Sequence, residues 1–151
     1  MKNLYDPGVQ AEIKQRLGQL YPGSTKVWGK MSPHQAVCHL TDAFRMVMGE
    51  RPIDFKSNVF LRTFVRFMVV TVPLPWPRGV GTAPELDQER GGTPPEEFAA
   101  DLDQLSTEIY RFVSKGGRDM ATHPIFGDLS RGEWGRWAYR HLDHHLKQFG
   151  V

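Results

Sequence analysis

The sequence predicts an all-α protein, a bundle of helices joined by short connections and one long irregular loop. Three observations carry this. Three segments have the capping-box pattern, in which an N-cap hydroxyl and a Glu or Gln three residues later satisfy each other's backbone donors: Ser32 with Gln35, Thr93 with Glu96, and Ser130 with Glu133. Apolar residues after these starts recur at three to four residues, the period of a helix face. No stretch alternates apolar and polar as a half-buried strand over more than a few residues.

Asp6-Pro7 opens the first expected helix, to about residue 20, because proline at the first helical position lacks only an N–H that would be unpaired anyway. Ile13, Leu17 and Leu20 form its stripe, and Tyr21-Pro22-Gly23 ends it. The second helix is expected from residue 33 to about 48, stopped by Gly49 and Pro52. A third, over about 58–70, rests on the most hydrophobic stretch of the chain. That stretch is interrupted by Arg62 and Arg66 and is shorter than the roughly 20 apolar residues that span a bilayer, so it predicts a buried helix. The fourth, about 94–115, has the clearest stripe, with Phe98, Leu102, Leu105, Ile109 and Phe112 in phase before Gly116-Gly117. The last runs from about 131 to 149.

Residues 73–92 are too rich in Pro and Gly for a helix. Loops this long are uncommon in compact domains unless they are functional or disordered. Leu74, Trp76 and Val80 predict an ordered loop packed over one end of the bundle.

At 151 residues the chain suits one domain with its own core, residues 1–151. The apolar fraction of 40% and a formal charge of +2 suit a globular protein without a nucleic-acid surface. Dinucleotide and P-loop motifs are absent. One cysteine, Cys38, excludes an intrachain disulfide, and the first residues lack the apolar core of a secretory signal, so a cytoplasmic location with no membrane partner is expected.

Three of the six histidines fall within residues 141–145. His141 and His145 stand four apart, and such residues project from one helical face about a turn apart, a spacing that lets two imidazoles share one metal ion. They share the inward stripe with Trp134 and Ala138, whereas His144 is displaced by about 100° and suits a pocket rim. A catalytic metal usually has three protein ligands, and a bundle can supply the third from a facing helix. His39, with Ala36 and Ala43 beside it, is the candidate, although the stripe of Val37, Leu40, Phe44 and Val47 is turned away from it.

The residues from Ser32 to Leu40, SPHQAVCHL, followed by those from His141 to Phe149, HLDHHLKQF, resemble the DinB-like (damage-inducible B, YfiT-type) superfamily, and look most like an uncharacterised bacterial branch of it. The segment from His123 to Ser130, HPIFGDLS, also looks like that branch. The resemblance implies a four-helix up-down bundle with an additional helix, binding a divalent metal through His39, His141 and His145. It further implies relatives that act as thiol-dependent transferases or isomerases and often pair, and with Trp76 and the broad aromatic content of this chain a homodimer is expected.

Three neutral imidazoles with an open position suit Zn, Ni, Mn or Fe. Such an ion lowers the pKa of a thiol or water, which predicts an enzyme acting on a small-molecule electrophile, with a low-molecular-weight thiol as cosubstrate or with water in a hydrolase. The alternative is a non-catalytic metal- or ligand-binding bundle in stress response. Asp42, one turn beyond His39, is expected to support a ligating imidazole, and is preferred over Asp143, which points elsewhere. His123 is a candidate for the pocket or for a structural hydrogen bond. Cys38 is the rival nucleophile, but it has only His34 and His39 as sequence neighbours and no evident acidic partner. His34 is expected at the surface.

Overall fold

The computed structural model describes residues 1–54 and 57–151, and the described chain is all-α. Four α-helices are formed: α1 (Pro7–Leu17), α2 (Pro33–Val47), α3 (Phe98–Lys115) and α4 (Arg131–Gln148). Between α2 and α3 lie two π-helical turns, Leu61–Val65 and Phe67–Thr71, and a 3₁₀ turn, Pro84–Leu86. α2 packs on α3, while α4 packs on α1, on α2 and on the second π-helical turn.

Two of the three expected capping boxes form. Ser32 and Ser130 each accept from the backbone of the residue three further on, and Gln35 and Glu133 return the bond. The third does not. The Thr93 amide and hydroxyl both donate to the Asp42 carboxylate, at 2.8 and 2.7 Å, so that Thr93 anchors the loop to α2. α3 therefore begins four residues later than expected, where the Glu97 carboxylate accepts from Ala99 and Ala100. It ends at Gly116, whose φ of +59° is a left-handed conformation that glycine adopts without penalty.

α2 is central. Twelve of its fifteen residues are buried, on every side of the helix, because α3, α4 and the 3₁₀ turn cover different faces. Its apolar stripe and His39 are thus both inside, although they face different neighbours. Phe44 meets Phe112 and Trp137 edge to face, at 5.2 and 6.1 Å between ring centres, which joins α2, α3 and α4 into one core. Burying such a ring contributes about 1.5–3 kcal/mol.

Residues 59–71 correct an expectation. They wind as π-helical turns and are not a buried helix: Val59, Phe60, Phe64 and Phe67 are exposed, and Val70 is the buried residue of the two turns. A bidentate pair between Arg66 and Glu133, at 2.9 and 2.7 Å, fastens the segment to α4 by one edge and leaves its aromatic side outward. The 73–92 loop is ordered as expected, but through Trp76 and Leu86, since Leu74 and Val80 are exposed. Among the described residues no helix is long and apolar enough to cross a membrane.

Candidate metal centre

His39, from the middle of α2, and His141 and His145, one turn apart on α4, meet in the interior. The ring centres lie 5.2 Å apart for His39 and His141, 4.8 Å for His39 and His145, and 5.2 Å for His141 and His145. One nitrogen from each falls within 4.8 Å of the others, a spacing a single ion can bridge.

The hydrogen bonds on the far side of two rings decide which nitrogen is free. His39 Nδ1–H donates to the Leu86 carbonyl at 2.9 Å, and a carbonyl can only accept, so the Nε2 of His39 carries the lone pair. For His145 the argument passes through Gln148. The Gln148 amide nitrogen donates to the Trp28 carbonyl at 3.0 Å, which turns its oxygen towards His145 to accept Nδ1–H, also at 3.0 Å. His145 Nε2 is then free as well. Gly29, with φ +81°, leaves the room that Gln148 needs, because a Cβ there would collide with the amide.

His141 completes the set. Its Nε2 lies 3.2 Å from that of His39, and its buried Nδ1 has no hydrogen-bond partner among the described residues. Since His39 Nε2 can only accept, His141 donates to it when no ion is bound. A buried nitrogen left unpartnered costs about 1–3 kcal/mol. Burial holds all three imidazoles below their ordinary pKa, well below for His141 and His145, where the neighbouring histidines add to the shift, and less for His39, where the bond to Leu86 opposes it. Neutral rings, two of them with a free Nε2 lone pair, and a third ring without full satisfaction fit a divalent metal.

The surroundings are aromatic. Trp137 and Trp76 stand 5.3 and 5.5 Å from His141, and Trp76 also reaches His144 at 6.0 Å. His144 is half-buried against Trp28 and Trp76, at the rim of the cluster. A cavity of about 250 Å³, lined by Phe64, Met68, Val69, Leu74, Trp76 and Arg140, shares Trp76 with the centre.

Asp42 does not contact His39. Its fully buried carboxylate binds Thr93, Gln88 and Arg51, so it holds the loop whose Leu86 carbonyl receives the His39 proton. The expected carboxylate partner is thus replaced by a backbone carbonyl that Asp42 helps to position. Asp143 pairs with Arg16 and Lys147, away from the centre. His123 is brought to a structural position: its Nδ1 accepts from the amides of Ile125 and Phe126, and its ring stacks on Phe126 at 4.4 Å.

Cys38 does have an acidic partner, Asp101 of α3, which spacing along the chain could not reveal. Burial, and then Asp101, pushes its thiol up to about 12, so it stays protonated and is a poor nucleophile. Leu86 and Gln148 are the site residues that sequence reasoning missed. Gln148 carried a signal, being one turn beyond His145, whereas Leu86 acts through its backbone and carried none.

A family model described as protein of unknown function DUF1569 matches residues 10–150, nearly the whole chain, and the protein belongs to that family. No curated protein and no solved structure matches it.

Proposed function

We propose that this protein is a divalent-metal-dependent enzyme that activates a thiol or a water molecule against a small-molecule electrophile. The observation that carries the reading is that His39 and His145 each have the proton held on Nδ1 by an acceptor, which leaves Nε2 free, in a cluster whose three rings bring one nitrogen each within 4.8 Å of the others. Ligating histidines are commonly oriented this way, through the N–H opposite the metal. The resemblance of the SPHQAVCHL and HLDHHLKQF segments to the DinB-like superfamily, with its three-histidine centre, supports the same reading.

His39, His141 and His145 would hold the ion, zinc, nickel, manganese or iron by donor type. When bound, it would supply Lewis acidity, lowering the pKa of a thiol or water to give a nucleophile at neutral pH. The chain's own residues do the rest. Leu86 and Gln148 orient two of the imidazoles, and Trp76 and Trp137 pack beside His141. The cavity beyond Trp76 offers an apolar wall for the second substrate, with a low-molecular-weight thiol as cosubstrate.

The test is elemental analysis of the purified protein, followed by a thiol-and-electrophile activity screen with and without the metal found. His141→Ala and His145→Ala should each lose the metal bound at this centre while keeping most of their helicity, and His144→Ala should keep it. Full metal content in His145→Ala would remove the centre from this position. Metal binding without turnover across the screen would favour a non-catalytic metal-binding bundle.

A further inference from the structure

We propose that His34, Cys38 and Asp101 form a second metal site, distinct from the histidine centre and suited to a thiophilic divalent cation such as zinc. His34 and Cys38 stand four apart on α2 and so share one face, and Asp101, in the first turn of α3, lies opposite them. A nitrogen of His34, the sulfur of Cys38 and a carboxylate oxygen of Asp101 all lie within 4.8 Å of one another. That is three corners of the tetrahedral site zinc prefers, supplied by one imidazole, one thiolate and one carboxylate.

The scaffold around these atoms is fixed. Ser32 caps the helix turn that carries His34, and the His34 ring packs edge to face on Phe98 at 5.3 Å. Asp101 is held by the Glu96 amide at 3.1 Å, and His34 Nε2 lies 2.6 Å from the same oxygen, Oδ2. The ion would replace that contact between His34 and Asp101 and displace one proton from the Cys38 thiol. Thiolate and carboxylate together carry two negative charges, which balance a divalent cation. The histidine centre has no such balance, so the two sites differ in metal preference.

The fourth corner has somewhere to open. A cavity of about 290 Å³ borders Cys38 and Asp101, and its polar rim includes Thr93, Glu96 and Gln104. A bound ion would therefore keep a position open to a water or a small ligand there, as catalytic zinc sites do and closed structural sites do not.

Cys38 is the chain's one cysteine, so sulfur-to-metal charge transfer reports this site alone. The experiment is titration of the full-length protein with cobalt(II), following the near-ultraviolet thiolate-to-cobalt band together with cobalt per chain by elemental analysis. The wild type should show the band and bind two equivalents. Cys38→Ser should lose the band and one equivalent, His34→Ala and Asp101→Asn should weaken the site at least tenfold, and His145→Ala should keep the band. His34 is half-buried, so His34→Ala gives a folded variant if the buried Cys38 does not tolerate change. A wild type without the band, or a band unaltered in both His34→Ala and Asp101→Asn, overturns the proposal. Failure of the histidine centre is separable, because it would leave one equivalent with the band intact, whereas failure of this site leaves one equivalent without it.

Discussion

His123 shows how a single buried imidazole ties stability to pH. Its Nδ1 accepts two backbone N–H groups, and burial depresses its pKa to about 3 from the 6.5 of a free side chain. The folded form therefore refuses a proton that the unfolded chain accepts. The associated stability is complete above about pH 6.5 and is lost as pH falls from there towards 3, when only the unfolded state gains from protonation. At 1.36 kcal/mol per unit the loss reaches about 5 kcal/mol at the acid end. Denaturant unfolding at pH 7 and pH 4 should show wild type losing several kcal/mol more than His123→Gln, whose amide can still accept an N–H but does not titrate. Equal losses in the two proteins would mean that His123 is not the source.

At the scale of elements, the loop before α3 is as much a part of the centre as the helices. Asp42 gathers Thr93, Gln88 and Arg51, and the loop so anchored presents the Leu86 carbonyl to His39. Asp42→Ala should cost about 3 kcal/mol or more, because it strands a guanidinium and an amide that the buried carboxylate had satisfied. It should also weaken metal binding about tenfold by freeing the His39 ring, although Asp42 touches no ligand nitrogen. Urea unfolding and a metal titration on the folded variant separate the two effects, and unchanged affinity would show that Leu86 holds its place without Asp42. Sequence reading reached the helices because caps and stripes are local signals: Ser32, Ser130 and the α3 stripe lie beside what they control. It failed at Thr93, where a distant buried carboxylate outcompetes the local cap. It failed again at residues 59–71, where composition reports hydrophobicity but not which side the Arg66–Glu133 pair turns inward. The two-histidine half of the centre was legible from spacing on α4. Its junction with His39, and the partner of Cys38, depend on how α2 meets α3 and α4.

For the molecule as a whole, the centre joins parts of the chain that are far apart in sequence. α2 contributes one imidazole, α4 two, and the 3₁₀ turn and the Trp28 carbonyl hold the rings in place. An ion bound there would favour the folded state, because the unfolded chain brings His39 nowhere near His141 and His145. Stabilisation grows as RT ln(1 + [L]/Kd), about 2.7 kcal/mol when free metal is a hundred times Kd. For a chain of this length that corresponds to a rise in Tm of roughly 5–10 °C. His39→Ala should remove most of that rise, since the half-site left on α4 holds metal weakly, and His39→Asn should do little better because an amide oxygen is a poorer ligand than imidazole for the later transition metals. A purely structural role for His39 predicts another pattern: a lowered Tm from the unpaired Leu86 carbonyl, with metal per folded chain and the metal-dependent rise both preserved. Measuring Tm with metal and with chelator, alongside metal per folded chain, distinguishes the two. Full occupancy in His39→Ala with an undiminished rise would take His39 out of the centre and leave its bond to Leu86 as its whole contribution.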